Sequence, residues 1–192
     1  MDLNKFNSLI DLFFFQVKNQ NPKNVFLEWL NPKDKKKFTW EETSSNIYKL
    51  ARTLKANITS GDRCLLVSEN RPEWLISDVA VMLANGITVP AYTTYTEKDY
   101  KYLIEDCQPS VIIVSNDHMH NKLKNIIKEK SFIRKVITFE KIKKVDYNNK
   151  YLDFSSIIKN DLQENDKIKN SNLKRNSCAC IIYTSGTGGN PK

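Results

Sequence analysis

No run of apolar residues in the 192-residue sequence approaches the ~20 needed to cross a bilayer, and the N-terminus has neither a basic leader nor a small-residue cleavage site. A membrane span and secretion are therefore not expected, and the cytoplasm is the expected setting. Without a leader, the sequon Asn57-Ile58-Thr59 carries no weight. The four cysteines, Cys64, Cys107, Cys178 and Cys180, lack the C-x-x-C spacing of zinc or redox sites. They lie in or beside apolar stretches and are expected to be buried thiols. His118 and His120 are the only histidines. An H-x-H pair can bind a metal, but with no third ligand in sight a solvent-facing loop pair is expected and no metal site. Glycine is also scarce: of five residues, three fall between Gly186 and Gly189.

Acidic residues are in the minority, 22 against 30 lysines and arginines, which leaves a net charge of +8. A basic balance raises the question of nucleic acid. The lysines, however, are scattered through turns and element tails beside Asn and Glu, as in Lys33 to Lys37, Lys141 to Lys144 and Lys167 to Lys174. That distribution reads as a solvated surface; no nucleic-acid partner is expected, while peripheral contact with an anionic membrane stays open. The hydrophobic fraction of 40% argues against disorder. A chain of this length buries roughly 70% of its unfolded surface, enough for one real core or one large part of a bigger domain.

Apolar periodicity predicts an amphipathic helix over residues 3 to 17, with Asp2 as N-cap and Asn21-Pro22 as the stop. Its aromatic stripe is expected to pack on its own domain. Val25 to Trp29 and Lys37 to Trp40 read as strands around the turn Asn31-Pro32-Lys33-Asp34. Thr39 and Glu42 have capping-box spacing and open a helix with Ile47, Leu50, Ala51 and Leu54 inward. Ser60-Gly61-Asp62 turns into Cys64 to Val67, a buried parallel strand in pattern. Asn70 or Arg71 caps the next helix, with Pro72 near its first turn and Gly86 at its end. Ile87 to Pro90 is a strand, and Thr96 with Asp99 starts another helix. Val111 to Val114, a helix about Leu123 to Ile127, and Val136 to Phe139 continue the alternation. The predicted fold is α/β, a mostly parallel layered sheet with helices on both faces. A polar excursion over about 159 to 177 then delivers the chain to a strand Cys178 to Tyr183.

That strand runs into Thr184-Ser185-Gly186-Thr187-Gly188-Gly189-Asn190-Pro191-Lys192. Glycine lets the backbone approach phosphate oxygens, hydroxyls and main-chain N–H groups donate, and lysine adds a mobile positive charge. A phosphate cradle at a strand's carboxyl end is the reading, where open α/β sheets bind ligands. A Walker loop is excluded, because Pro191-Lys192 stands where Gly-Lys is needed. The segment resembles the signature Y-T-S-G-T-[ST]-G-x-P-K-G of the adenylate-forming enzymes, departing only at Gly188, where a second hydroxyl residue is usual. The closing glycine would be residue 193, so a truncated, partial N-terminal AMP-binding domain over residues 1 to 192 is expected.

The resemblance extends over about residues 25 to 192. Phe38-Thr39-Trp40-Glu41-Glu42, Ser60-Gly61-Asp62-Arg63, Glu69-Asn70-Arg71-Pro72-Glu73-Trp74 and Val89-Pro90-Ala91-Tyr92 are similar to consecutive landmarks of acyl-CoA synthetases. The Glu69 to Trp74 stretch and Tyr92-Thr93-Thr94 are most similar to long-chain fatty-acid members. The resemblance implies ATP-dependent activation of a carboxylic acid and transfer of the acyl group to coenzyme A, with magnesium ion screening the phosphates. It assigns Thr184, Ser185, Gly186, Thr187, Gly188, Gly189 and Lys192 to the β- and γ-phosphates. It also implies that the adenine-binding motifs, the magnesium ligand and the catalytic lysine lie downstream, so no catalytic residue is assigned here and the chain alone is expected to be inactive. Arg71 and Trp74 are expected to cap and pack a helix rather than touch substrate. Tyr92, Tyr95, Tyr100 and Tyr102 are expected to be core or interface residues. An aryl or amino acid substrate, or a non-catalytic binding module, are the alternatives.

Overall fold

The computed structural model describes residues 3–31, 35–167 and 173–184. A 3₁₀ turn, Leu3–Lys5, precedes helix α1, Leu9–Asn19. The first helix therefore starts six residues later than its apolar pattern predicts, because Ser8 caps it by accepting the Asp11 N–H at 3.1 Å. The expected Asp2 cap lies outside the described residues, as do Pro32, Lys33 and Asp34 of the predicted turn. Strands β1, Val25–Trp29, and β2, Lys36–Thr39, pair antiparallel.

The capping box forms in both directions. Glu42 N–H donates to Thr39 Oγ1 at 3.1 Å and Thr39 N–H donates to Glu42 Oε2 at 2.8 Å, starting α2, Trp40–Lys55. From there strand and helix alternate: β3, Arg63–Val67; α3, Pro72–Leu83; β4, Ile87–Ala91; α4, Glu97–Cys107; β5, Val111–Val114; α5, Asp117–Glu129; and β6, Lys135–Thr138. Two further elements, β7, Tyr151–Asp153, and α6, Phe154–Lys159, were not legible in the sequence.

The sheet order is β4-β3-β5-β6-β7 and every pair is parallel. Cys64 and Leu66 point into one core with Ile47, Leu50, Ile76 and Phe154, from α2, α3 and α6. Leu65 and Val67 point into the other with Leu103, Ile104 and Leu123, from α4 and α5. The step from β3 to β4 runs one way with α3 on the first face. The steps from β4 to β5 and on to β6 run the other way with α4 and α5 on the second, as a single crossover hand requires. The α/β sheet covered on both faces is thus the one predicted.

Between α3 and β4 the left-handed residue is Asn85 (φ +61°). Gly86 instead serves close packing, since a Cβ there would sit 2.9 Å from Ile58 Cδ1 and 3.0 Å from Val81 Cγ1. Between Glu164 and Lys167 the polar excursion forms a 3₁₀ turn pinned to α2, with Arg52 Nη1 2.6 Å from Asp166 Oδ2. The predicted strand Cys178 to Tyr183 reduces, among the described residues, to a single parallel bridge between Cys180 and Thr88. Thr88 N–H donates to the Ala179 carbonyl at 3.3 Å and Ile181 N–H to the Thr88 carbonyl at 2.9 Å.

Candidate phosphate-loop site

The bridge at Cys180 aligns the last described segment with β4, so its direction carries Ile182 to Thr184 toward the same end of the sheet as Ala91 and Tyr92. Tyr183 anchors it. Its ring is buried in the second core, its hydroxyl donates to Asp106 Oδ2 on α4, and its carbonyl accepts from the Tyr95 hydroxyl at 3.4 Å. Burial, then the carboxylate beside it, raises the Tyr183 phenol, so the hydroxyl stays a donor at any physiological pH. Thr184 follows and is exposed. Ser185, Gly186, Thr187, Gly188, Gly189 and Lys192 lie outside the described residues.

Beside this exit lies a cleft of about 500 Å³ at the carboxyl ends of β3 and β4. Ser68 and Glu69 form one side, Pro90 and Tyr92 another, and Trp74 and Ile182 supply apolar surface. The loop after β4 is braced from outside: Lys122 Nζ donates to the carbonyls of Thr93 (2.8 Å) and Tyr95 (3.0 Å), and the Tyr100 hydroxyl to that of Tyr92 (2.7 Å). Glu69 is the one carboxylate among the residues lining the cleft. Burial alone would raise its carboxyl, but hydrogen bonds at the strand ends, including Asn116 Nδ2 at 3.0 Å, and the Arg71 charge outweigh this and hold it below the ordinary range.

Arg71 turns inward instead. With its side chain 1% exposed, it donates through Nε and Nη2 to both oxygens of Glu73 (2.9 and 3.1 Å) and through Nη1 to Glu140 (2.8 Å). Its guanidinium lies 4.4 Å from the Trp29 ring centre and 5.5 Å from that of Phe139. Arg71 therefore packs as expected, and so does Trp74, which lies against the first core while also lining the cleft. Of the tyrosines, Tyr100 is buried, while Tyr92 is 59% exposed at the cleft rather than a core residue.

Two other expectations are corrected. Cys64 and Cys107 are buried, but Cys178 and Cys180 are exposed, because the segment beside β4 is the sheet's outer edge. His118 and His120 sit on α5, not in a loop; positions two apart point to different sides of a helix, so His118 is exposed and His120 is buried. Asn116 caps α5 by accepting the Met119 N–H, which starts the helix six residues before the predicted Leu123. Asp106 and Lys122, which hold the segment and the loop, had no sequence signal beyond being polar residues on helices.

The chain matches the model of the family described as AMP-binding enzyme over residues 14–192. The chain belongs to the AMP-binding enzyme family. Among curated members, the long-chain-fatty-acid–CoA ligase ACSBG1 of Homo sapiens is 30% identical over 167 residues, covering 82% of this chain and 23% of the relative. ACSBG2 of Xenopus laevis is 32% identical over 127 residues, 64% of this chain and 17% of that protein. The chain thus spans about a quarter of the length of the curated relatives it matches. In fold, an anthranilate CoA ligase solved with anthranoyl-AMP superposes with TM-score 0.81 at 19% identity, covering 97% of this chain and 33% of that one. A luciferase-like enzyme from the mealworm Zophobas morio gives 0.79 at 19% identity, covering all of this chain and 43% of the other.

Proposed function

We propose that this chain supplies the phosphate-holding part of an ATP-dependent acid–coenzyme A ligase acting on long-chain fatty acids. One observation carries the reading: Tyr183 to Lys192 match the adenylate-forming signature at nine of ten positions, inside a family match that runs from residue 14 to residue 192. The named function of the relatives at 29 to 32% identity supports the choice of acid.

The hydroxyls of Thr184, Ser185 and Thr187, the backbone N–H groups of Gly186, Gly188 and Gly189, and the Lys192 ammonium hold the β- and γ-phosphates of ATP. An oxygen of the fatty acid carboxylate then bonds to the α-phosphorus as the bond from that phosphorus to the bridging oxygen breaks, and pyrophosphate leaves with the electron pair. In the second step the coenzyme A thiol loses its proton, its sulfur bonds to the acyl carbon, and AMP leaves. This chain's part is positioning and charge stabilisation on the leaving pyrophosphate. Magnesium ion accompanies ATP in such chemistry, but among the described residues no group of three His, Cys, Asp or Glu stands together to hold a metal.

The test is acid-dependent exchange of labelled pyrophosphate into ATP by the native gene product. Palmitate should support exchange and benzoate or an amino acid should not, and Lys192→Ala should slow it about a hundredfold. Exchange without added acid, or an unchanged rate in the variant, would remove the reading.

A further inference from the structure

The edge of the sheet opposite the phosphate-loop segment carries a second cleft, of about 470 Å³, between the outer turns of α5 and the chain that enters β7. Five lysines line it and a single carboxylate, Asp146, does so. Lys150 is satisfied within the fold, since its Nζ donates at 2.8 Å to the Ile127 carbonyl at the end of α5. Lys124, Lys128, Lys143 and Lys144 have no ion-pair partner among the described residues. All four are exposed around the rim. The lining also holds His120, 5% exposed, whose Nε2 lies 3.1 Å from the Tyr151 hydroxyl. The turn that supplies two of the lysines holds Lys144 in the left-handed region (φ +60°), at a cost of about 1 kcal/mol for a side chain with a Cβ.

A solvated lysine face would spread its charges over a convex surface and pair some of them. Here four lysines without an ion-pair partner among the described residues line one concavity, where they outnumber the Asp146 carboxylate of the lining and the Asp117 carboxylate that accepts the Lys143 N–H at 3.0 Å, an excess of positive charge that lowers the energy of a multiply charged anion. Lysine binds phosphate as a point charge, and the volume falls in the range of small-molecule sites. Five strand-to-strand steps of about 4.8 Å separate this edge from the segment at Cys180, roughly 24 Å, so one nucleotide cannot occupy both places.

We propose that this cleft is a second anion site, which takes a phosphomonoester or pyrophosphate group through Lys124, Lys128, Lys143 and Lys144. The group can belong to a free phosphate compound or to a lipid headgroup; the chemistry recognised is the same. The site is independent of the adenylation reading.

The experiment is titration of the full chain with inorganic pyrophosphate, followed by calorimetry and by the amide resonances of His120 and Tyr151. Lys143→Glu/Lys144→Glu should weaken binding at these resonances at least tenfold. Lys98→Glu/Lys101→Glu on α4 carries the same change in net charge and should leave it unchanged. Cosedimentation with phosphatidylcholine vesicles containing phosphatidylinositol 4-phosphate separates the two sources: loss of vesicle binding in the Lys143/Lys144 variant assigns a headgroup, and loss of pyrophosphate binding alone assigns a free compound. If neither probe responds to the Lys143/Lys144 variant more than to the Lys98/Lys101 control, the proposal fails.

Discussion

Arg71, at the start of α3, spends its side chain on ion pairs and ring contacts rather than on the cleft. Its guanidinium is buried between two rings and shared by Glu73 and Glu140, so its donors are spent on holding the β1–β2 hairpin, the start of α3 and the end of β6 together. Burial would raise the Glu73 carboxyl, but the Arg71 hydrogen bonds and charge more than offset this and hold it below its ordinary 4.5. A carboxyl depressed in the folded state stabilises fully above its unfolded value and loses that contribution as pH falls through the folded one. Glu73→Gln should therefore cost about 3 kcal/mol at pH 7, because it strips a buried cation of one partner. The same variant should show a shallower loss of stability than the parent between about pH 5 and pH 3 in chemical denaturation; parallel curves would contradict the pairing. That Arg71 packs was legible in the sequence, but its partners were not, since Trp29 and Phe139 stand about forty and seventy positions away.

Elements were legible where local chemistry specifies them. The capping boxes at Thr39 and Thr96 formed as read, because reciprocal side-chain to backbone bonds need only four consecutive residues. The strands Cys64 to Val67 and Val111 to Val114 were plain from unbroken apolar runs buried on both faces. The start of α5 was missed because Asp117, His118 and Asn121 break the apolar pattern while Asn116 supplies the cap. β7 was missed because three residues at a sheet edge carry no period. For the segment beside β4, the hydrophobic run predicted a strand, yet among the described residues a single bridge joins it to β4, with Ala179 and Ile181 packed on the two cores and Tyr183 bonded to Asp106. Tyr183→Phe, which removes the bond to Asp106, should cost about 1 kcal/mol and speed exchange of the Ile181 amide roughly fivefold. Unchanged protection at Ile181 would mean that the bridge alone positions the loop.

At the scale of the whole molecule, the parallel sheet with its two covered faces brings the loop exit, Glu69, Trp74 and Tyr92 to one end, where α/β sheets bind ligands. The family was legible from ten residues because their backbone and hydroxyl chemistry is local. The acid could not be read from the residues themselves, since the hydroxyls, glycines and lysine of the signature are phosphate chemistry and carry no information on an acyl chain. Acid activation, rather than plain ATP hydrolysis, is the proposed role of this loop. The most direct measurement is product analysis of the native gene product incubated with palmitate, ATP and coenzyme A. Palmitoyl-CoA, AMP and pyrophosphate should appear in equal amounts, with none formed when palmitate is left out. ADP and inorganic phosphate, or AMP released without thioester, would contradict it.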